Sequence, residues 1–160
     1  MPLPTISTPT YELELPVTKK TVKYRPFLVK EEKILVMAME SQDEKQIGRA
    51  VKDVLSSCVL TRGIKVDKLP TFDIEYLFLN VRAKSIGEVV DLVVTCSDDG
   101  ETKVDVAVNL DDIKVERKEN HKTDIKLDKN LSLRLKYPSM EQFIKSNFDF
   151  QYLLEGFINN

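Results

Sequence analysis

Residues 43–60 read DEKQIGRAVKDVLSSCVL, and the spacing within that run decides how the first half of the chain folds. Ile47, Ala50, Val51, Val54, Leu55, Cys58 and Val59 return at intervals of three and four, while Gln46, Arg49, Lys52 and Asp53 take the other side. At 3.6 residues per turn the first set forms one apolar stripe and the second faces water, so the pattern predicts an amphipathic helix from about Asp43 to Leu60. Gly63 is expected to end it, as a residue free to turn left-handed beyond a helix terminus.

Working outward, Pro26 rules out helix immediately before it, and good helix formers around Ile34, Leu35, Ala38 and Met39 predict a helix from just after Leu28 to about Glu40. Further upstream Tyr11, Leu13 and Leu15 alternate with Glu12 and Glu14, and Val22 and Tyr24 sit between Thr21, Lys23 and Arg25. Period two on both sides of Pro16 to Lys20 reads as a β-hairpin with one buried face. Downstream, Thr71 is a candidate N-cap for a third helix with Asp73 and Glu75 in its first turn and Ile74, Leu77, Phe78 and Val81 on one face. Phe72, Tyr76 and Leu79 lie off that face, so this helix is apolar over a wide arc. It is therefore expected to be central to the fold or to touch a partner.

After Gly87 the period changes from 3.6 to 2. Val90, Leu92, Val94 and Cys96 alternate with Asp91, Val93 and Thr95, Ser97-Asp98-Asp99-Gly100 supplies turn chemistry, and Val104, Val106 and Val108 resume the alternation. A second alternating pair follows: Ile125 and Leu127, a turn at Asp128-Lys129-Asn130, then Leu131, Leu133, Leu135 and Tyr137. Ser139 and Gln142 have the spacing of a capping box ahead of Met140, Phe143 and Ile144. Phe150, Leu153, Leu154 and Phe157 then stand at i, i+3, i+4 and i+7, a stripe that either packs on the core or enters a partner's groove. The reading is α+β: an N-terminal hairpin, a three-helix unit near 29–85, an antiparallel β-region near 87–137 and a C-terminal helical segment over 138–160. All of it is expected within one domain spanning 1–160, with 10–86 holding the hairpin and helices.

The chain has 160 residues, 42% hydrophobic and 31% charged, the composition of an ordinary folded protein. No apolar run reaches the roughly 18 residues of a membrane helix, and Met1 to Thr10 has neither a basic stretch nor an apolar signal core, so a cytoplasmic setting without membrane association is expected. Net charge is −2, with no nucleic-acid footprint; Lys19, Lys20, Lys23 and Arg25 are the densest basic stretch but lack platform aromatics beyond Tyr24. The charge is unevenly placed: residues 1–85 carry 14 Lys and Arg against 11 Asp and Glu, and residues 86–160 carry 10 against 15. A two-sided molecule of this kind suits docking to proteins.

A search for chemistry finds little. His121, the single histidine, lies among Lys118, Glu119, Asn120 and Lys122, with no neighbour to orient it as a base, and reads as a solvated loop residue. Cys58 and Cys96 are 38 positions apart, which with one histidine makes a zinc site improbable, and both read as reduced, buried thiols. Asp98, Asp99, Glu101, Asp105, Asp111 and Asp112 do not match a calcium loop, and the five glycines are isolated, so no phosphate cradle is visible. No catalytic residue, metal or cofactor is assigned.

Several longer strings carry a resemblance. Tyr24-Arg25-Pro26-Phe27-Leu28-Val29-Lys30-Glu31-Glu32-Lys33, Met37-Ala38-Met39-Glu40, Cys58-Val59-Leu60, Leu69 to Leu79, and Arg82 to Glu88 resemble the baseplate hub and hub-assembly proteins of T-even-type contractile-tailed bacteriophages. The likeness covers about residues 10–95 well and the rest loosely. It implies a protein without catalytic motifs that helps build the central hub of the tail baseplate by binding hub or tape-measure polypeptides, made in the host cytoplasm and carried in the virion tail. The resemblance also implies an alternative, a tail-assembly chaperone that binds transiently and leaves; a small metal-independent enzyme with a dispersed site is the third reading. Partner-binding residues are expected among Phe72, Tyr76, Leu79, Phe150, Leu153, Leu154 and Phe157. The sequence does not define an oligomeric state.

Overall fold

The computed structural model describes residues 8–116, 121–128 and 131–145. Strands β1 (Tyr11–Glu14) and β2 (Thr21–Tyr24) pair antiparallel, with Tyr11 opposite Tyr24 and Leu13 opposite Val22. All four side chains therefore share the face turned to the core, as the alternation required. The turn is closed by Lys19 N–H donating to the Leu15 carbonyl (3.0 Å), with Lys19 itself at φ 56°.

Helices α1 (Val29–Glu40), α2 (Glu44–Cys58) and α3 (Thr71–Ser85) follow, the last preceded by a short 3-10 turn at Val66–Lys68. Asp43 caps α2 by accepting from Lys45 N–H at 2.9 Å, and Ile47, Ala50, Val51, Val54, Leu55 and Cys58 are buried as the stripe predicted. The far end of α2 differs from the expectation. The helix stops at Cys58, and Val59 turns extended to bridge Tyr24. Arg25 N–H donates to the Cys58 carbonyl (3.0 Å) and Leu60 N–H to the Lys23 carbonyl (2.8 Å), so the open edge of β2 takes over the backbone groups that another helical turn would have used. Gly63, at φ 86°, serves the loop beyond. Pro70 rather than Thr71 occupies the N-cap of α3, a shift of one residue.

The core joins the hairpin's inner face, Leu35 of α1, the α2 stripe, Val66, Leu69 and the Ile74, Leu77, Phe78 and Val81 face of α3. The last contributor is Met140, fully buried at the start of α4 (Met140–Lys145). Ser139 and Gln142 form the reciprocal capping box, Ser139 N–H to Gln142 Oε1 at 3.0 Å and Gln142 N–H to Ser139 Oγ at 3.4 Å. Thr71 N–H donates to the Pro138 carbonyl (3.2 Å) and Met140 N–H to the Leu69 carbonyl (3.3 Å), which stitches this segment to the start of α3.

Two further hairpins complete the α+β architecture. β3 (Val89–Thr95) pairs with β4 (Lys103–Asn109), and β5 (Asp124–Asp128) with β6 (Leu131–Arg134), both antiparallel and both two-stranded. β6 ends three residues before the Tyr137 to which its alternation extended, although Leu135 N–H still reaches the Thr123 carbonyl at 2.8 Å.

Cys58 is buried against Arg25, and burial pushes its thiol up to about 11 despite the opposing charge of the guanidinium. Only the thiolate is nucleophilic, so Cys58 is expected to resist Ellman's reagent at pH 8 in the native protein, while the half-buried Cys96 reacts. Both should react after denaturation. Equal native rates for the two would contradict the packing around Cys58.

Candidate partner-binding surface

Of the seven residues expected to meet a partner, Phe72, Tyr76 and Leu79 share a stripe of α3, and the structure treats them unequally. Phe72 is exposed, while Tyr76 and Leu79 are half-buried. The Phe72 ring meets Tyr137 edge to face with centroids 5.0 Å apart, beyond the end of β6. Tyr137 also stacks on His121, with planes 3° apart, and its hydroxyl lies 3.1 Å from His121 Nε2. His121 is thus exposed, as its neighbours suggested, but it is held by an aromatic partner 16 positions away. Phe150, Leu153, Leu154 and Phe157 lie outside the described residues.

Larger apolar surfaces occur where the sequence reading assigned none. In the β3–β4 arm the register places Val90 opposite Val108, Leu92 opposite Val106 and Val94 opposite Val104, so six aliphatic side chains share one face. Val90 at the root is buried, Leu92 and Val108 are half-buried, and Val94, Val104 and Val106 are 48%, 46% and 38% exposed. The stripe runs from a buried root into solvent. In the β5–β6 hairpin, Ile125 stands opposite Leu133, an irregularity between Lys126 and Asp128 shifts the register so that Leu131 faces Asp128, and Ile125, Leu127, Leu131, Leu133 and Leu135 are all exposed. Helix α1 adds Val29, Ile34, Val36 and Met37 on its outer side, because Glu31 and Leu35 are the residues it buries. Alternating apolar residues were legible as strands. The missing signal was distance: a two-stranded sheet that leaves the helices has nothing among the described residues to cover it.

The arm's root is fixed electrostatically. Lys84, near the end of α3, pairs with Glu88 and lies 3.5 Å from Asp111 on the other side of the hairpin. The hydrogen bond from Lys84 holds the Glu88 carboxyl below its usual range, and the same bond, with the charges of Asp111 and Glu88, raises the Lys84 ammonium. Leu110 N–H donates to the Glu88 carbonyl at 2.7 Å, and Arg82 Nη1 to the Gly87 carbonyl at 3.1 Å. Gly87, at φ 149°, makes the exit from α3 in a conformation that side chains resist. At the tip, Asp99 accepts from Glu101 and Thr102 N–H groups, both at 3.0 Å. These acids therefore have structural partners, and among the described residues no three His, Cys, Asp or Glu side chains gather as a metal site would need.

No helix among the described residues is long and apolar enough to cross a membrane. Neither a curated protein nor a solved structure gives a significant match to the chain. A family model does, the T4 bacteriophage base plate protein, over residues 8–159. That span includes the hairpin, the helical core, the arm and α4, and on it the chain belongs to the T4 bacteriophage base plate protein family.

Proposed function

We propose that this baseplate protein works at the central hub of the phage tail, binding hub or tape-measure polypeptides rather than catalysing a reaction, with the β3–β4 arm as its principal contact. One observation carries this reading. The arm is tied to the end of α3 by Lys84, Glu88 and Asp111, yet presents Val94, Val104 and Val106 to solvent on one apolar face. Exposed aliphatic stripes of this kind, framed by polar residues, mark surfaces meant to be covered by a protein. Phe72 with Tyr137, and the outer side of α1, supply secondary surfaces for the same assembly.

The test places charge on the arm. Val94→Lys with Val104→Glu, an opposite-charge pair across the register, is expected to leave unfolding free energy within about 0.5 kcal/mol, because both sites are solvated. The same variant should lose co-purification with hub and tape-measure polypeptides from infected cells and yield few complete tails. Normal tails assembled with this variant would remove the arm from the mechanism. A protein inventory of purified mature tails against infected-cell lysate separates a resident hub subunit from an assembly factor that leaves.

A further inference from the structure

We propose that the apolar face of the arm is covered by the β5–β6 hairpin of a second copy of this chain, the two sheets packing face to face and head to tail. The inference rests on the reading of the arm as a binding surface, and it names the occupant.

Both elements are two-stranded sheets that expose aliphatic side chains: Val94, Val104 and Val106 on one face of the arm, and Ile125, Leu127, Leu131, Leu133 and Leu135 on the hairpin. An isolated two-stranded hairpin is marginal in water, and packing two such faces at about 10 Å is the standard way to remove them from solvent. The surrounding charges are complementary. Residues 88–112 contain eight Asp and Glu against one Lys, whereas the described residues 121–128 and 131–137 contain four Lys and Arg against two Asp and Glu. Two arms would repel each other, as would two hairpins, while an arm and a hairpin attract.

Within the folded chain the two faces do not cover each other. The arm is rooted at the C-terminal end of α3 through Arg82, Lys84 and Gly87. The β5–β6 hairpin is held at the N-terminal end of the same helix, through Phe72 against Tyr137 and the Pro70–Ser139 bridge. At about 1.5 Å per residue, the 15 residues of α3 separate these anchors by roughly 22 Å, and in the folded chain Val94, Val104 and Val106 of the arm and Ile125, Leu127, Leu131, Leu133 and Leu135 of the hairpin all stay exposed. An arm that takes the next copy's hairpin is a heterologous contact, which propagates to a ring or an open run.

Sedimentation velocity on the purified full chain tests this. Wild type is expected to self-associate with rising concentration and to dissociate as salt screens the charges. Val106→Asp on the arm and Leu133→Asp on the hairpin, each checked for native melting, should both be monomeric, with association at least about tenfold weaker. Mixed in equal amounts they should form a dimer and nothing larger, because one retains a hairpin and the other an arm. A mixture that stays monomeric overturns the head-to-tail interface, as does a wild type that is monomeric at its solubility limit. In either case, arm variants that still fail to build tails would leave the proposed function standing with a different partner; arm variants that build normal tails would remove both.

Discussion

Glu31→Ala is expected to destabilise the protein by about 3–5 kcal/mol, the usual consequence of removing one member of a buried ion pair. Glu31 is 2% exposed and lies where β2 turns into α1. Its Oε1 accepts from Arg25 Nη2 at 3.0 Å and its Oε2 from the Leu28 backbone N–H at 2.7 Å, which makes it both an ion-pair partner and the N3 acceptor that caps the helix. Without it, a largely buried guanidinium keeps only its bond to the Pro26 carbonyl (2.9 Å) and its distant contact with Cys58, and the Leu28 N–H loses its acceptor. Urea unfolding should show a lower midpoint with an unchanged slope. The double variant Arg25→Met, Glu31→Leu should recover much of the loss, because an apolar pair leaves no stranded charge. A single-variant loss below about 1 kcal/mol would mean that water already screens the pair.

The same residue gives a pH dependence. Burial alone would raise the Glu31 carboxyl, but the bonds from Arg25 and Leu28, with the charges of Arg25 and Lys30, outweigh it, and the carboxyl sits below its usual value. The unfolded chain therefore takes up this proton first. The contribution is complete above the ordinary glutamate pKa of about 4.3 and is lost as pH falls from there through the folded value. Glu75 works in the opposite direction: burial raises its carboxyl, so stability is lost as pH rises through the carboxylate range. Glu31→Gln should flatten the acid limb of a stability profile between pH 7 and pH 3; an unchanged limb would assign it to other carboxylates.

The second large effect is expected at Asp73, which is fully buried in the first turn of α3. Its two oxygens accept from Val17 N–H at 2.7 Å and Thr18 N–H at 3.1 Å, so a helix N-terminus clamps the turn of the first hairpin. At roughly 1.5–3 kcal/mol for each hydrogen bond to a charged acceptor, Asp73→Ala should cost about 3–5 kcal/mol. Asp73→Asn should recover only part, since its amide group turns a donor towards one of the two N–H groups. Amide exchange at Val17 and Thr18 is the specific readout. Exchange rates unchanged there in a destabilised Asp73→Ala would show that the loss comes from the helix terminus and not from the clamp.

Both residues show how far the sequence could be read. Asp73 was legible as an acid in the first turn of a helix, where the macrodipole favours it, and Glu31 holds the equivalent place in α1. Their burial was not legible, because it depends on Arg25 arriving beside one and on a turn 56 positions away arriving above the other. His121 follows the same rule: its charged neighbours indicated exposure, and only the fold brought Tyr137 to it. The Ser139–Gln142 capping box, by contrast, was legible outright, since both partners lie within one helical turn.

The sequence by itself determined the helix faces of α2 and α3, the alternating faces of the first hairpin, the antiparallel pairing after Gly87 and the α+β class, because each is a local pattern of burial repeated at the period of its own backbone. Only the tertiary structure decided that α2 yields Val59 to the edge of β2, that α1 keeps Ile34 and Met37 outside, and that the valines of the arm remain in water. An alternating strand specifies which side chains share a face, but whether that face is covered depends on what the rest of the molecule can reach. For the arm, Val90 at the root is buried while Val94, Val104 and Val106 stay exposed.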